Sequence, residues 1–378
     1  MAQTRQYNDS EAALVLSFLP HIGPRSFANI FEKTNGKIGR LLSLSKDDLM
    51  FTVGLSPDTA DRITHWRDFI DLDRQLSAIE AFGSKFIPIF ADDYPATLKS
   101  IGDAPIGIHC AGKPLPACSC VAIVGTRRCS FAGEKLAHEL GKAMAENGIA
   151  TVSGLAMGID AAAHAGTLAG GGHTVAVLGG GLDVVYPPDS AGLYDTVRRD
   201  GTLVSEFSVG RHVDKRSFVI RNRIITGLSD AVIVVESPPV GGSMFSARMA
   251  SEQGRPLFAV GGEPSLTNGG CLELISSGVA TEIGSAEEFL EYFKNSPSPR
   301  IPNRQSLLDF EVHVKKEKPQ LDDVEEKIWT LLEGSGPSSV DDVAAALSMD
   351  VLECAMSMQS LCVRGILKKE FSGEFRIA

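Results

Sequence analysis

Residues 121–160 read VAIVGTRRCSFAGEKLAHELGKAMAENGIATVSGLAMGID, and this stretch decides the fold. The apolar run Val121–Val124 predicts a strand, and apolar residues at three- and four-residue spacings after the next turn predict a helix. A second apolar run, Ile149–Val152, is followed by a turn of small residues at 153–158 and by another helix. Two such units in succession are typical of a parallel α/β sheet, so both turns should lie at its carboxyl edge, where these folds bind ligands.

The chemistry of the first turn points to an anion. Glycine lets the backbone approach a ligand closely, and the N–H groups in the first turn of a helix favour phosphate. The dinucleotide pattern G-x-G-x-x-G and the lysine-bearing phosphate loop are both absent after Val124. Instead the turn carries Arg127 and Arg128, whose planar donors can hold phosphate bidentately. One glycine-rich turn alone fits a packing role equally well, so the turn by itself does not establish a site.

The α/β rhythm continues after this stretch. Apolar runs predict strands at 121–125, 149–153, 174–178, 202–205, 231–235 and 256–260, and runs of this kind are buried on both faces of a sheet. Helical stretches separate them. Residues 81–295 are therefore expected to form one domain built on a Rossmann-like, doubly wound parallel sheet.

The flanks predict smaller domains. Residues 1–80 predict a small N-terminal helical domain of helix-hairpin-helix or SAM-like type, because short amphipathic helices alternate with turns. Residues 296–320 are rich in proline and polar residues and predict a linker. Residues 321–378 contain three helical patterns followed by a short hairpin, an order that predicts a C-terminal winged-helix domain.

Composition limits the function classes. The 378 residues carry a net charge of −11, yet the segment 210–223 has five basic residues against one acid, whereas 321–378 has eleven acids against five bases. Neither a signal peptide nor a membrane span is expected, so the protein should be cytoplasmic. Seven cysteines without a C-x-x-C pair argue against a disulfide framework and a zinc site, and we expect no metal and no cofactor.

Six motifs together resemble the DNA-processing protein A (DprA) family, also called Smf, of bacterial competence. They are VGTRR at 124–128, SGLAMGIDAAAHAGTL at 153–168, AVLGGGLDVVYPP at 176–188, SEF at 205–207, RNRIITGLSDAVIVVES at 221–237 and GGSMFSARMASEQGRPLFAV at 241–260. The resemblance covers the segment from about 121 to 279. It implies binding and protection of single-stranded DNA, loading of the RecA recombinase in natural transformation and recombination, and a homodimer without enzymatic activity.

The resemblance also implies a set of DNA-binding residues. Backbone phosphate would be held by the first turn, at Gly125, Thr126, Arg127 and Arg128. The same groove would be extended by Ser153 and Gly154, and its basic wall would be lined by Lys215, Arg221, Asn222 and Arg223. The site would also include Gly241, Gly242 and Ser243. Phe218 either stacks on a base or is a core aromatic residue under the sheet. The chain departs from the family pattern at Val219-Ile220, where a proline usually follows the aromatic residue.

Two alternatives stay open. A similar fold serves nucleotide N-glycosidases of the LOG type, which need a glutamate shortly after a Gly-Gly turn, whereas this chain has SMFSAR at 243–248. Asp160 and His164 could form an acid/base pair on one helix face, although an acid in a first helical turn more often interacts with the helix dipole. The other alternative is a protein-interaction scaffold whose basic loop contacts an acidic partner.

Overall fold

A computed structural model describes the chain at residues 5–295, 321–335, 339–347, 349–363, 366–369 and 375–377. The chain divides into two compact units, Met1–Leu308 and Asp309–Ala378. The predicted linker at 296–320 lies outside the described residues. Both the 1–80 and the 81–295 segments belong to the first unit, and the boundary between them stays a prediction.

The N-terminal segment forms helices α1 (Asp9–Phe18), α2 (Pro24–Lys33), α3 (Pro57–Thr64) and α4 (Leu72–Phe82). Their starts are coded locally: Asn8 and Glu11 form a capping box at α1, and α2 and α3 both begin with proline. The buried faces share one apolar core that also contains Ile106 and packs against Phe86. This helical segment therefore rests on the first two strands of the sheet.

Among the described residues of the first unit, nine strands form one sheet. They are β1 (Ser84–Pro88), β2 (Gly107–Gly112), β3 (Cys120–Val124), β4 (Ala150–Ser153), β5 (Thr174–Val177), β6 (Thr202–Ser205), β7 (Ala231–Val234), β8 (Leu257–Val260) and β9 (Thr281–Ile283). Their order is β1-β2-β6-β5-β4-β3-β7-β8-β9. The six strands predicted from the sequence are confirmed, each within one residue at either end.

The sheet is mostly, not wholly, parallel. The strands from β6 to β9 in the sheet order run parallel, whereas β2 is antiparallel to both of its neighbours, β1 and β6. The expected parallel sheet is confirmed for the strands from β6 to β9 in the sheet order. The direction of β2 was not predicted, because an apolar run indicates a buried strand but not its direction.

Helices cover both faces of the sheet. They are α5 (Ala96–Lys99), α6 (Phe131–Glu146), α7 (Ile159–Ala169), α8 (Ala191–Asp200), α9 (Lys215–Gly227), α10 (Gly242–Glu252), α11 (Gly269–Ser276) and α12 (Ala286–Asn295). Helix α7 packs on α6 and α8, and α9 packs on α10. The chain leaves β3 toward β4 in one direction and returns through β7 toward β8 in the other. The carboxyl ends of β3 and β7 therefore meet at the topological switch point of the sheet, where such folds bind ligands.

The second unit contains helices α13 (Asp323–Ser335), α14 (Val340–Leu347) and α15 (Val351–Val363), then an antiparallel pair, β10 (Leu367–Lys369) and β11 (Phe375–Ile377). Its own apolar core includes Ile328, Val343, Met358 and Phe375. The order of elements is the expected one, and the assignment as a winged helix stays a prediction. Within the described parts of both units, we find no helix whose length and apolar character would suit a membrane crossing.

Candidate nucleic-acid interface

A cavity of about 600 Å³ opens at the carboxyl ends of β3 and β7. Its lining includes eleven of the fourteen residues expected to bind DNA: Gly125, Thr126, Arg127, Arg128, Lys215, Phe218, Arg221, Asn222, Gly241, Gly242 and Ser243. Ser153, Gly154 and Arg223 do not line it. Three segments of the chain that are remote in sequence, 125–128, 215–222 and 241–243, thus converge on one concave surface at the switch point.

The turn after β3 is rigid and presents its arginines to solvent. A side chain on Gly125 would approach Ile159 Cγ1 within 2.5 Å, so only glycine fits there. The Thr126 N–H donates to the Glu236 carbonyl over 2.7 Å, and the Arg128 N–H donates to Thr126 Oγ1 over 3.2 Å. With the backbone held in this way, the side chains of Arg127 and Arg128 are free to meet an incoming anion.

The start of α6 already holds an anion supplied by the chain itself. The Glu236 carboxylate accepts from the Ser130 N–H over 2.8 Å and from the Ser130 hydroxyl, while the Gly133 N–H donates to Ser130 Oγ over 3.0 Å. Glu236 is buried. The sequence predicts an anion at this position, and in the structure a carboxylate remote in sequence fills it; phosphate binding by the turn itself stays a prediction.

The second turn, residues 153–158, is also closed by side chains of the protein. Ser153 Oγ donates to the Ile123 carbonyl over 2.6 Å, and the Gly154 N–H donates to Asp160 Oδ2 over 3.1 Å. Both Ser153 and Gly154 are buried. These two residues fix the turn, and Ala156 and Asp160 line the cavity in their place, so the extension of the groove along Ser153 and Gly154 stays a prediction.

Asp160 and His164 hold the same turn in place. The Leu155 N–H donates to His164 Nε2 over 3.3 Å, which leaves Nδ1 protonated toward Thr174 Oγ1 at 2.6 Å. Burial lowers the pKa of His164 to about 3, so the ring is neutral, and burial raises the pKa of Asp160. Both side chains are engaged in ordering the turn, as expected of a structural rather than a catalytic pair.

The two arginines of α9 that were expected to bind DNA, Arg221 and Arg223, have different surroundings. Arg221 forms the buried floor of the cavity: its guanidinium donates to the Val177 carbonyl and packs directly on Gly154. Burial lowers the pKa of Arg221 to about 10, so the side chain remains charged at neutral pH. Arg223 instead pairs with Glu206, with Nη2 at 2.5 Å from Oε1, and lies 3.5 Å from Asp103. This ion pair holds the side chain outside the cavity lining, and the assignment of Arg223 to the basic wall stays a prediction.

Aromatic side chains form one wall of the cavity. Phe218 is half-buried, with the Tyr186 ring centroid at 5.2 Å and the Arg127 guanidinium carbon at 5.4 Å from its own centroid. It is therefore not a core residue under the sheet. Tyr186 and Phe245 also line the cavity and are exposed, and sequence reasoning did not single them out. The sequence could have indicated both residues, because each lies inside a motif that supports the family resemblance.

The first turn of α10 completes the site. No side chain caps this helix, whose N-cap is Gly241, and an added Cβ on the exposed Gly242 would have no heavy atom within 4 Å. Ser243 Oγ donates to Ser237 Oγ over 2.7 Å. Because N–H groups at the start of a helix lack intrahelical partners, this end of α10 offers an anion position beside the cations of the cavity.

Comparisons with known proteins agree with this geometry. The family model for DNA recombination-mediator protein A matches residues 85–294. Protein Smf of Synechocystis is 38% identical over 195 residues, which cover 49% of this chain and 48% of that protein, so the match spans about half of that relative's length.

Two solved structures are similar to the chain. DNA processing protein A from Streptococcus pneumoniae superimposes with a TM-score of 0.63 and 31% identity, covering 75% of this chain and 95% of that one. DNA processing protein A from Helicobacter pylori, whose structure addresses its single-stranded DNA binding mode, superimposes with a TM-score of 0.51 and 28% identity, covering 56% of this chain and 95% of that one.

Proposed function

The chain belongs to the family of DNA recombination-mediator protein A, and from this premise we propose that it binds single-stranded DNA in the cavity at the carboxyl edge of the sheet. The observation that carries the proposal is the set of exposed cations, Arg127, Arg128 and Lys215, around a cavity that also contains the uncapped start of α10. A solved family relative is described as binding single-stranded DNA, which supports the same ligand here.

The phosphates of the strand are held from two sides. Arg127 and Arg128 contact them from the turn after β3, and Lys215 contacts them from the start of α9, while the N–H groups of Gly242 and Ser243 donate from α10. Asn222 lines the cavity between α9 and α10, where its amide donates to the Gly242 carbonyl over 3.4 Å. Such contacts position a strand without reading its sequence, so the affinity should vary little with base composition.

One base is held against the aromatic wall. Phe218 is braced from behind, because a Cβ on Gly179 would lie 3.0 Å from its ring, and Tyr186 supports it from the side. A base that stacks there contributes about 1–3 kcal/mol in comparable sites. A duplex keeps its bases inside the helix, so this contact favours single strands.

The wider role is also a proposal, and it rests on family membership. We propose that the protein protects single-stranded DNA and helps to load the RecA recombinase onto it in natural transformation and recombination. In this proposal it acts in the cytoplasm as a homodimer, without enzymatic activity. The supports are the family match and the similarity to relatives named DNA processing protein A.

The runner-up is a nucleotide N-glycosidase on the same fold. Of its candidate acid/base pair, Asp160 lines the cavity, but its carboxylate accepts from Gly154, and His164 is fully buried. Incubation with nucleoside monophosphates should therefore release no free base. Release that disappears in Asp160→Ala would favour the enzyme over the DNA-binding protein.

The direct test is fluorescence anisotropy with single-stranded and duplex oligonucleotides of equal length over a range of salt concentrations. We expect single strands to bind more tightly, with a slope of about −0.7 in log K against log salt for each phosphate neutralised. Binding that is insensitive to salt, or stronger for duplex, would contradict the proposal. An acidic protein that competes for the cavity, when DNA does not, would favour the scaffold alternative instead.

A further inference from the structure

Three apolar side chains are exposed to solvent, two of them in the cavity-lining segment 238–246 and one in the loop before α11. Val240 is 97% exposed, Leu266 is 96% exposed and Phe245 is 47% exposed. We call this set the apolar rim. Large apolar side chains that are almost fully exposed at a ligand-binding edge are typical of surfaces that contact a partner.

The apolar rim continues outward from the cavity. Phe245 itself lines the cavity, and Val240 directly precedes Gly241, which also lines it. The loop that carries Leu266 leads into α11, whose first residues contact the loop before Val240: the Gly270 N–H donates to the Ser237 carbonyl over 2.8 Å, and a Cβ on Gly269 would lie 3.1 Å from the Pro239 ring. A strand bound at the exposed cations of the cavity can therefore contact the apolar rim with the part of the strand that extends out of the cavity.

We propose that the apolar rim binds unpaired bases of the strand whose phosphates lie in the cavity, and that this contact adds to the preference for single strands. The inference rests on the proposed function and extends it to residues outside the cavity lining. Bases have apolar faces, and a single strand presents them, whereas a duplex stacks these faces inside the helix. The rim residues carry no charge, so the phosphates themselves gain nothing from Val240 or Leu266.

Continuity with the cavity favours bases over a protein as the occupant. Phe245 belongs both to the cavity lining and to the rim, so a strand anchored at Arg127 and Lys215 can reach the rim without a gap. Electrostatic attraction to the exposed cations brings a nucleic acid to this edge, and contact with the rim follows at no further loss of translational freedom.

The test compares two ligands and two proteins. The ligands are oligo-dT and an abasic oligodeoxynucleotide of the same length, which has the same phosphates but no bases. The proteins are the wild type and the double variant V240S/L266S, which leaves the cavity lining intact. We expect the variant to bind oligo-dT about tenfold more weakly, equivalent to ~1.4 kcal/mol, and to bind the abasic strand as the wild type does, with an unchanged salt slope.

The matched control is Phe51→Ser, which removes a side chain that is 80% exposed in the N-terminal helical segment. It should bind both ligands like the wild type. If V240S/L266S binds oligo-dT like the wild type, while the wild type still prefers oligo-dT to the abasic strand, the rim does not contact bases and the inference is wrong. If the wild type binds neither oligonucleotide, the proposed function itself is wrong.

Discussion

Replacing Arg223 with alanine should weaken the fold and leave the affinity for single-stranded DNA nearly unchanged. The Arg223 side chain is only 10% exposed, and its Nη2 lies 2.5 Å and 2.6 Å from the two carboxylate oxygens of Glu206. A weaker contact joins Nε to Asp103 at 3.5 Å. All of these contacts are internal, and Arg223 does not line the cavity, so its removal acts on stability.

The expected loss follows from the burial of the pair. Removing one partner of a fully buried ion pair destabilises a protein by ~3–5 kcal/mol, because the remaining charge stays uncompensated. The Glu206 side chain retains 23% exposure, so water solvates part of its charge after the change. We therefore expect a decrease of about 2–3 kcal/mol in the free energy of unfolding, a large part of the typical ~5–15 kcal/mol for a folded protein.

The assay pairs urea unfolding, followed by circular dichroism, with anisotropy at a temperature where all variants are folded. Arg127→Ala is the matched comparison: Arg127 is exposed, so it should lose DNA affinity without a shift in the urea midpoint. Glu206→Gln in the Arg223→Ala background should restore part of the stability, because the uncompensated carboxylate disappears. An Arg223→Ala protein that unfolds like the wild type but has lost tenfold or more in affinity would refute this reasoning.

Three further predictions follow from the same contacts and charges. Gly154→Ala should lower the melting temperature and the free energy of unfolding, the latter by ~1–3 kcal/mol, because the added Cβ would lie 1.9 Å from Arg221 Nη1. The control Gly192→Ala should be neutral or slightly stabilising, because its Cβ would have no heavy atom within 4 Å. The free energy of unfolding should fall as the pH drops from about 6.5 to 4. Burial lowers the pKa of His109 to about 4 and that of His164 to about 3, so in this pH range the unfolded chain binds protons that the folded chain does not. His109→Phe should reduce this dependence of the unfolding free energy on pH, measured by urea titrations. A chain that ends at Asn295 should bind single-stranded DNA with an affinity within about tenfold of that of the full chain, because the removed segment 321–378 carries eleven acids against five bases. A hundredfold loss of affinity in a folded truncation would assign part of the DNA site to that segment.

The sequence predicted the parallel part of the sheet well because its strands are buried on both faces. Val121, Ile123 and Val232 are fully buried, and uninterrupted apolar runs of this kind are a strong signal. Strand β2 carries the same signal, and its antiparallel direction depends on which neighbour it pairs with. Periodicity shows burial, whereas pairing is a property of the whole sheet, so the direction of β2 was beyond the sequence argument.

The assignment of Arg223 shows what periodicity could have corrected. Lys215, Phe218 and Asn222 follow three- and four-residue spacings, so they share one face of α9, and all three line the cavity. Arg223 comes one residue after Asn222 and is rotated by about 100° from it, away from Arg221 and Phe218, which lie on the other side of Asn222 and line the cavity. The helical spacing therefore argued against Arg223 as a cavity residue, although the basic run 210–223 suggested one continuous wall.

The role of Glu236 could not be predicted in the same way. Its carboxylate occupies a position at the start of α6 that would otherwise be open to an external anion. Glu236 and Ser130 are 106 residues apart, and only the adjacent positions of β3 and β7 bring them together. Asp160 closes the second turn by accepting from Gly154. With both glycine turns closed by internal carboxylates, backbone N–H groups there cannot enclose a nucleotide's phosphates as in dinucleotide-binding folds. In the proposed site, phosphate binding therefore depends on exposed side chains and on the start of α10.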